Sequence, residues 1–309
     1  MLGYIANTDY DWYRFLKSQG PLGEVNFWQP SGSRHFRAIQ PGAPFFFKLK
    51  RPYYAIAGFG YFAGNSILPA WLAWDSFKEA NGAPNFMTMK RRIEKYRSPE
   101  GIGLEGQYEI GCLMISNPVF FDEHEWIPQP RSWSPNIVQG KTYDLTMGEG
   151  KRVYEGCLLL SRARDRMQSE IVAERGERYG EEQLIRPRLG QGIFRISVLD
   201  AYGRACAVSE EHSLPVLEAA HIKPFSELGT HEVANGLLLR ADIHRLFDMG
   251  YVTVSPDHHF EVARRLKEDF DNGKTYYPLH GRKIRLPVEP QDQPDQSLLE
   301  WHSSTRFLG

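Results

Sequence analysis

Short apolar runs alternate with polar segments along residues 217–250. A strand-like run leads to His221, and three leucines follow Asn235 and Gly236. Because three leucines between Asn-Gly and a charged segment have the length of a strand rather than a helix, they predict a second strand. A helix is expected next, with His244 in its first turn. The pattern therefore predicts strand, loop, strand and helix.

The first 145 residues contain several strand-like runs separated by turns, which predicts a mixed α and β unit. Strands are expected at residues 4–6, 45–49, 53–62 and 110–116, and helices at residues 12–16, 68–80 and 85–96. Proline and glycine are frequent from residue 128 to residue 140 and mark the end of this unit.

Charged and apolar residues alternate over residues 151–175, which predicts a helical connector. A hinge or boundary is expected at residues 186–192, followed by a helix over residues 194–202. Further on, the pattern predicts a hairpin at residues 251–254 and 259–263 and a strand at 283–286. Four histidines in this last part are expected to be structural or exposed: His258, His259, His280 and His302. We divide the chain into residues 1–145, a connector at 146–190 and residues 191–309.

Composition narrows the class of protein. A chain of 309 residues with 41% apolar content can build two cores. No run of eighteen apolar residues occurs, the N-terminus carries no basic leader, and three scattered cysteines offer no disulfide framework. We therefore expect a cytoplasmic protein without a membrane partner. The net charge of −1 predicts modest, salt-sensitive affinity for nucleic acid.

The words AAHIKPF and NGLLLRADIHRLFD, preceded by RLGQGIFR and VLDAYGRACAVS, resemble the HNH, or ββα-metal, nuclease finger of bacterial restriction endonucleases. The resemblance covers roughly residues 186–305, and its three signature positions correspond to His221, Asn235 and His244. It implies a metal-dependent DNA endonuclease. Residues 298–307, LLEWHSSTRF, resemble the closing helix of the same family. Because one HNH site cuts one strand at a time, a homodimer is a reasonable hypothesis.

Phosphodiester hydrolysis needs a base that is effective near neutral pH, and a neutral imidazole has this property. His221 is our candidate for this base. His244 is placed to hold a divalent cation, which would neutralise the leaving 3′ oxygen. Asn235 is expected to fix the loop between the strands and to orient the His221 ring. The expected cation is Mg²⁺, with Mn²⁺ and Ni²⁺ as alternatives.

One position departs from the wider HNH pattern. Many members carry an acidic metal ligand directly before the base, whereas this chain has Ala220. Glu218 lies two residues earlier on the same side of the expected strand, and Asp242 lies at the helix start. Both are candidate metal ligands beside His244, although an Asp at a helix start is more often a cap.

The N-terminal words GYIANTDYDWYRF, NFWQPSGSR, PGAPFFFKL, IGCLMISNPVFF and EWIPQPRSW resemble PUA-like domains of the EVE group. The resemblance implies a small β-barrel that accepts a flipped, modified base. Such a base needs aromatic faces and a few polar groups. Trp28, in an apparent loop with Asn26 and Ser31, is the first candidate, and Trp71 and Trp74 are secondary ones.

Together the two resemblances predict an α+β protein that cuts double-stranded DNA containing modified bases, with 5-methylcytosine or 5-hydroxymethylcytosine as the expected targets. Two alternatives stay open at this stage. The protein could be a restriction nuclease that reads unmodified sequence, or a noncatalytic reader of modified nucleic acid whose nuclease site has decayed at Ala220.

Overall fold

The computed structural model describes residues 1–33, 35–97, 106–174, 190–227 and 229–309, with the backbone alone for 165–174. The chain forms two compact units, an N-terminal unit, Met1–Gly190, and a C-terminal unit, Gln191–Gly309. Both combine helices with sheets, so the fold is α+β. No helix in the described ranges has the length and apolar character needed to cross a membrane.

The N-terminal unit is built around one sheet of seven strands. Its strands are β1 (Leu2–Thr8), β2 (Glu24–Gln29), β3 (Pro44–Leu49), β4 (Ala55–Pro69), β5 (Glu109–Phe120), β6 (Ile127–Pro128) and β7 (Gly140–Asp144). Its helices are α1 (Tyr10–Ser18), α2 (Ala70–Phe77), α3 (Phe86–Glu94) and α4 (Gly148–Glu174).

The predicted barrel is not closed in the described part of this unit. The strand path runs β2-β5-β4-β3-β1-β7, with β6 paired to β4 outside the path. β1 and β3 are parallel, and the other neighbours are antiparallel. The β4–β5 ladder shifts register twice, and such bulges bend and twist a sheet. The sheet nevertheless stays open, because its two edge strands do not pair with each other: among the described strands, β2 pairs only with β5 and β7 only with β1.

The sheet carries an apolar cluster on each face, and β3 shows why. Successive side chains of a strand point to opposite faces. Phe45 and Phe47 accordingly join the cluster that contains Trp12 of α1, whereas Phe46 joins the cluster that contains Val153 of α4. All six residues of β3 are buried, as expected for a strand covered on both sides.

Two N-terminal predictions are corrected by strand pairing. The helix expected over residues 68–80 begins only at Ala70, because Leu68 and Pro69 continue β4 and pair with β5. Trp28 lies in strand β2 rather than in a loop, because β2 pairs with β5 over its full length. The connector helix predicted over residues 151–175 is α4, whose described part ends at Glu174. Residues 175 and 186–189 lie outside the described ranges.

The C-terminal unit contains the predicted strand, loop, strand and helix. Its elements are α5 (Gln191–Ala201), β8 (Leu217–His221), β9 (Gly236–Arg240), α6 (Ala241–Asp248), β10 (Val252–Val254), β11 (Phe260–Val262), α7 (Arg265–Phe270) and α8 (Gln296–Thr305). β8 and β9 are antiparallel, with His221 opposite Gly236, and β10 and β11 form the predicted hairpin. The prediction of a strand at residues 283–286 is wrong, because Lys283 forms an isolated bridge to His259 instead of a strand.

A histidine-lined candidate active site and an aromatic cavity

Asn235 organises the loop that follows His221. Its side chain is buried, and its Oδ1 accepts a hydrogen bond of 2.9 Å from the Lys223 amide. Its Nδ2 donates to the carbonyl oxygens of Lys223 at 2.9 Å and Thr230 at 2.7 Å. A buried amide with three partners is costly to replace, since an apolar residue would leave backbone groups unsatisfied. Asn235 thereby holds both ends of the loop between β8 and β9.

The His221 ring is held by contacts on its face and at its edge. It stacks on Phe194 of α5, with 3.9 Å between ring centroids and 11° between planes. Its Nε2 lies 3.0 Å from Nδ1 of His231. Burial lowers the pKa of His221 to about 4, and the nearby His231 and His244 add to the effect. The ring is therefore neutral at physiological pH, the state in which an imidazole can accept a proton.

His231 is a site residue that the sequence analysis missed. It lies in the loop between β8 and β9 and stacks on Phe225, with 4.7 Å between centroids. Burial lowers its pKa as well. The loop has no strand or helix periodicity, so no sequence pattern predicts which of its side chains turns back to His221.

His244 on α6 lies between two carboxylates. Its Nδ1 is 2.7 Å from Oε2 of Glu218 on β8, and its Nε2 is 3.5 Å from Oδ2 of Asp248. The side chains of Glu218 and Asp248 are 48% and 54% exposed, so both carboxylates are accessible to solvent and to ligands. Asp248 follows His244 by four residues, which places both on one side of a helix.

The Asp242 side chain contacts Arg240 and Tyr276 rather than His244. It forms a paired hydrogen bond with Arg240, at 2.6 and 2.7 Å, and accepts another from the Tyr276 hydroxyl at 3.0 Å. The Arg240 contact lowers the pKa of Asp242. Two residues correspond to about 200° of helix rotation, so Asp242 and His244 face different sides of α6. The structure therefore brings Glu218 to His244 but leaves Asp242 in a separate ion pair.

The donor set around His244 fits a divalent cation in chemistry but is incomplete as a cage. No cluster of three or more His, Cys, Asp or Glu side chains within the described ranges is arranged to hold a metal ion. The His244–Asp248 separation of 3.5 Å exceeds a hydrogen bond. It is slightly longer than the roughly 3.0 Å between adjacent ligands of an octahedral cation whose bonds are about 2.1 Å long. These two groups fit two positions of a cation whose other positions go to water or substrate.

These groups surround one cavity of about 420 Å³, and its wall includes His221, His231, His244, Asp248, Trp301 and Arg306. His302 also contributes to the wall but serves the structure, as predicted. It is 3% exposed, stacks on Phe247 at 3.7 Å between centroids, and has its Nδ1 2.8 Å from the Thr253 hydroxyl oxygen. The cavity thus combines a neutral histidine pair with a histidine–carboxylate cluster.

The N-terminal unit contains a cavity of different character, with a volume of about 350 Å³. Aromatic side chains form much of its wall: Tyr4, Trp12, Phe27, Trp28 and Tyr96. The Trp28 indole donates a hydrogen bond of 3.1 Å to the Asn81 carbonyl oxygen, which fixes the ring. Ser31 also lines the cavity. Two of the predicted base-binding residues are therefore brought together there.

The other three predicted residues do not line this cavity. Asn26 is fully buried under the turn Lys78–Asn81, and its Nδ2 donates to Asn81 Oδ1 at 2.8 Å. Trp71 and Trp74 lie on α2, where the Trp74 ring packs near Phe86. Asn26 is committed to an internal hydrogen bond, and the two tryptophans of α2 lie outside the cavity wall.

Asp9, Lys50 and Tyr96 form a polar cluster in the cavity wall that the sequence did not predict. Lys50 Nζ lies 2.7 Å from Asp9 Oδ1, and the Tyr96 hydroxyl lies 3.2 and 3.1 Å from the two Asp9 carboxylate oxygens. Asp9 stands at the N-cap position of α1, yet its side chain makes no capping hydrogen bond. An N-cap hydrogen bond contributes about 1 kcal/mol to helix stability. Asp9 does not make this bond, because its carboxylate is hydrogen-bonded to Lys50 and Tyr96. The three residues are far apart in sequence, so no local pattern joins them.

Comparison with known proteins gives matches to parts of the chain and to nearly its whole length. Residues 206–255 match the HNH endonuclease family, and no curated protein matches the chain. ASCH from Zymomonas mobilis is 12% identical over 50% of this chain and 94% of its own, with a TM-score of 0.32, and a serine-to-alanine mutant of the same protein is 11% identical, with a TM-score of 0.33. A structure described as the modification-dependent TagI restriction endonuclease is 12% identical over 99% of this chain and 81% of its own, with a TM-score of 0.30. The C-terminal unit thus carries an HNH endonuclease domain, and the protein is a nuclease that acts on DNA.

Proposed function

We propose that this protein is a modification-dependent restriction endonuclease, which binds a modified cytosine in the N-terminal cavity and cuts double-stranded DNA at the histidine cavity. The observation that carries the proposal is the presence of two chemically different cavities in one chain. One offers fixed aromatic faces beside a small polar cluster, and the other offers neutral and carboxylate-bound histidines. The first suits a planar ligand, and the second suits hydrolysis.

His221 is the proposed general base. A His221 ring that donates from Nε2 to His231 Nδ1 keeps its own Nδ1 unprotonated, and Nδ1 can then take a proton from water. Stacking on Phe194 and the bond to His231 fix the ring plane. His231 acts through His221 and is a positioning residue. Asn235 keeps the loop that carries both contacts in place.

His244 and Asp248 are the proposed protein ligands of a divalent cation, with Mg²⁺, Mn²⁺ or Ni²⁺ as candidates. Glu218 accepts a hydrogen bond from His244 Nδ1, so Nε2 is free to coordinate. When bound, the ion supplies positive charge to the leaving 3′ oxygen and a nonbridging oxygen of the phosphate. This assignment keeps His244, gives Glu218 an orienting role and takes Asp248 in preference to Asp242.

Trp28 is the proposed stacking face for the flipped base. The Asp9 carboxylate can accept a hydrogen bond from the exocyclic amino group of cytosine, and Lys50 can donate to the neighbouring ring nitrogen. The resemblance to EVE domains suggests 5-methylcytosine and 5-hydroxymethylcytosine as the modified bases. Trp71, Trp74 and Asn26 have no part in this assignment.

The decisive experiment is a digest of matched plasmids that contain unmodified cytosine, 5-methylcytosine or 5-hydroxymethylcytosine, with Mg²⁺, Mn²⁺ or Ni²⁺ added singly. We expect cleavage of modified plasmid only. Equal cleavage of all plasmids would identify a nuclease that reads unmodified sequence. Binding of modified plasmid without cleavage under any metal would identify a noncatalytic reader. Comparing nicked with linear product over a range of protein concentrations tests whether two copies cooperate.

A further inference from the structure

Lys223 is held in place two residues after the proposed base. The Asn235 side chain accepts from its amide and donates to its carbonyl oxygen, both at 2.9 Å. Its Nζ lies 5.3 Å from the ring centroid of Trp301 on α8, within the range of a cation–π contact. The backbone and the side chain of this lysine are therefore both restrained.

Trp301 connects this lysine to the histidine cavity. It is partly exposed and lines the same cavity as His221 and His244. The next residue, His302, is buried and anchors α8 through its stack on Phe247. The Trp301 ring is thus presented to the cavity by a helix that is fixed to the domain core.

The two cations near Trp301 differ in their charge partners. The Arg306 guanidinium lies 5.8 Å from the Trp301 centroid and forms an ion pair with Glu227. Among the residues that the structure describes, Lys223 has no carboxylate as an ion-pair partner. Its ammonium is therefore available to an external anion, and a DNA backbone carries one phosphate charge per nucleotide.

We propose that Lys223 and Trp301 form a nucleotide-binding subsite beside the scissile phosphate, in which the Lys223 ammonium binds a phosphate oxygen and the Trp301 ring packs against the sugar or base. The subsite rests on the proposed hydrolysis at the histidine cavity, because Trp301 lines that cavity and the Lys223 ammonium lies over the Trp301 ring. Phosphate contacts fix the register of a nucleic acid without reading its sequence. The subsite therefore aligns the strand that is cut and adds no base specificity.

The test measures kcat, KM and the salt dependence of DNA binding for the full-length Lys223→Gln and Trp301→Ala variants, using a DNA that the wild type cuts. Lys223→Gln should raise KM about tenfold at moderate salt and change kcat less than about twofold. It should also reduce the slope of log Kd against log salt by about 1. Trp301→Ala should raise KM severalfold, and Trp301→Phe should recover most of the loss. Lys267→Gln, which removes an exposed charge on α7, is the matched control and should leave KM and kcat unchanged.

Unchanged KM and salt slope in Lys223→Gln would overturn the subsite, as would a fall in kcat alone. Lys223→Gln decides the question even if Trp301→Ala does not fold. The proposed hydrolysis is judged separately, by whether the wild type cuts DNA and His221→Ala does not. The salt slope of binding is measurable for a protein that cuts no DNA, so the two proposals can fail independently.

Discussion

The two cavities differ in how they use polar groups. In the N-terminal unit, aromatic rings dominate the wall, and Asp9, Lys50 and Tyr96 satisfy one another. In the C-terminal unit, His221 lies within hydrogen-bond reach of His231 and His244 within reach of Glu218, and the Glu218 and Asp248 carboxylates stay partly exposed. Stacking a planar ligand requires fixed apolar faces, whereas moving a proton requires a titratable group in a defined state. The contrast supports the proposal that the N-terminal cavity recognises the base and that the C-terminal cavity carries out the hydrolysis.

The largest effect is expected from His221→Ala. Removing the base should lower kcat by roughly 100-fold or more, because general bases contribute about 10²–10⁴-fold. DNA affinity should change little, since the base acts on the chemical step alone. Single-turnover cleavage and equilibrium binding of the same duplex measure the two quantities. His212→Ala, at an exposed histidine of the same unit, is the control. Loss of binding by a folded His221→Ala protein would contradict this assignment.

His244→Ala and Asp248→Asn should produce the next largest effect. Both changes remove a proposed ligand, so activity should fall about 10–100-fold at low metal concentration and recover partly as the metal concentration rises. Asp242→Asn is the matched comparison, because Asp242 is paired with Arg240 and turned away from His244. Metal titration of the cleavage rate distinguishes them. A metal dependence that changes in Asp242→Asn but not in Asp248→Asn would reverse the ligand assignment.

Sequence reasoning succeeded in the C-terminal unit where the signal is local. Strand, loop, strand and helix follow from the apolar runs around His221, Asn235 and His244, and β8, β9 and α6 confirm that order. Contacts that join separate elements could not be predicted. His231 contacts His221 from a loop that has no strand or helix periodicity. Asp248 becomes a better candidate metal ligand than Asp242 only when it is known which residues share the side of α6 that carries His244.

In the N-terminal unit, pairing between strands determines features that the local sequence pattern does not predict. Trp28 precedes Pro30 and resembles a loop residue, yet pairing with β5 makes its segment a strand. The resemblance implies a barrel, whereas the described strands form an open sheet. Whether a sheet closes depends on pairing between strands that are distant in sequence, which no local pattern predicts. The Asp9–Lys50–Tyr96 cluster joins residues from three parts of the chain. The aromatic content of this unit predicts a site for stacking a base, but it does not predict which residues form that site.

Trp28→Ala should have a smaller effect than the active-site changes and should act on selectivity. Loss of a stacking face worth about 1–3 kcal/mol should reduce the preference for modified duplex roughly 5- to 150-fold. Cleavage at saturating DNA should stay near the wild-type rate. Trp71→Ala is the control, since Trp71 does not line the cavity. Competition binding between modified and unmodified duplexes measures the preference.

An equal loss in Trp71→Ala would mean that general destabilisation, rather than stacking, explains the result. A Trp28→Ala protein that keeps its full preference would remove the N-terminal cavity from base recognition. Specificity would then have to lie in the C-terminal unit, and the division of labour between the two cavities would be wrong.

The smallest expected effect concerns His302 and is measured as the acid stability of the C-terminal unit rather than as a cleavage rate. Burial lowers the pKa of His302 from 6.5 to about 4. Between these values the unfolded chain binds a proton that the folded chain does not, so stability is complete above about pH 6.5 and falls as the pH drops towards 4. The loss approaches about 3 kcal/mol, and His221 adds to it by the same mechanism. His302→Gln should reduce the pH dependence of the unfolding free energy over this range. Denaturant unfolding at pH 7 and pH 5 tests this, and an unchanged difference between the two pH values would show that His302 does not control the acid sensitivity.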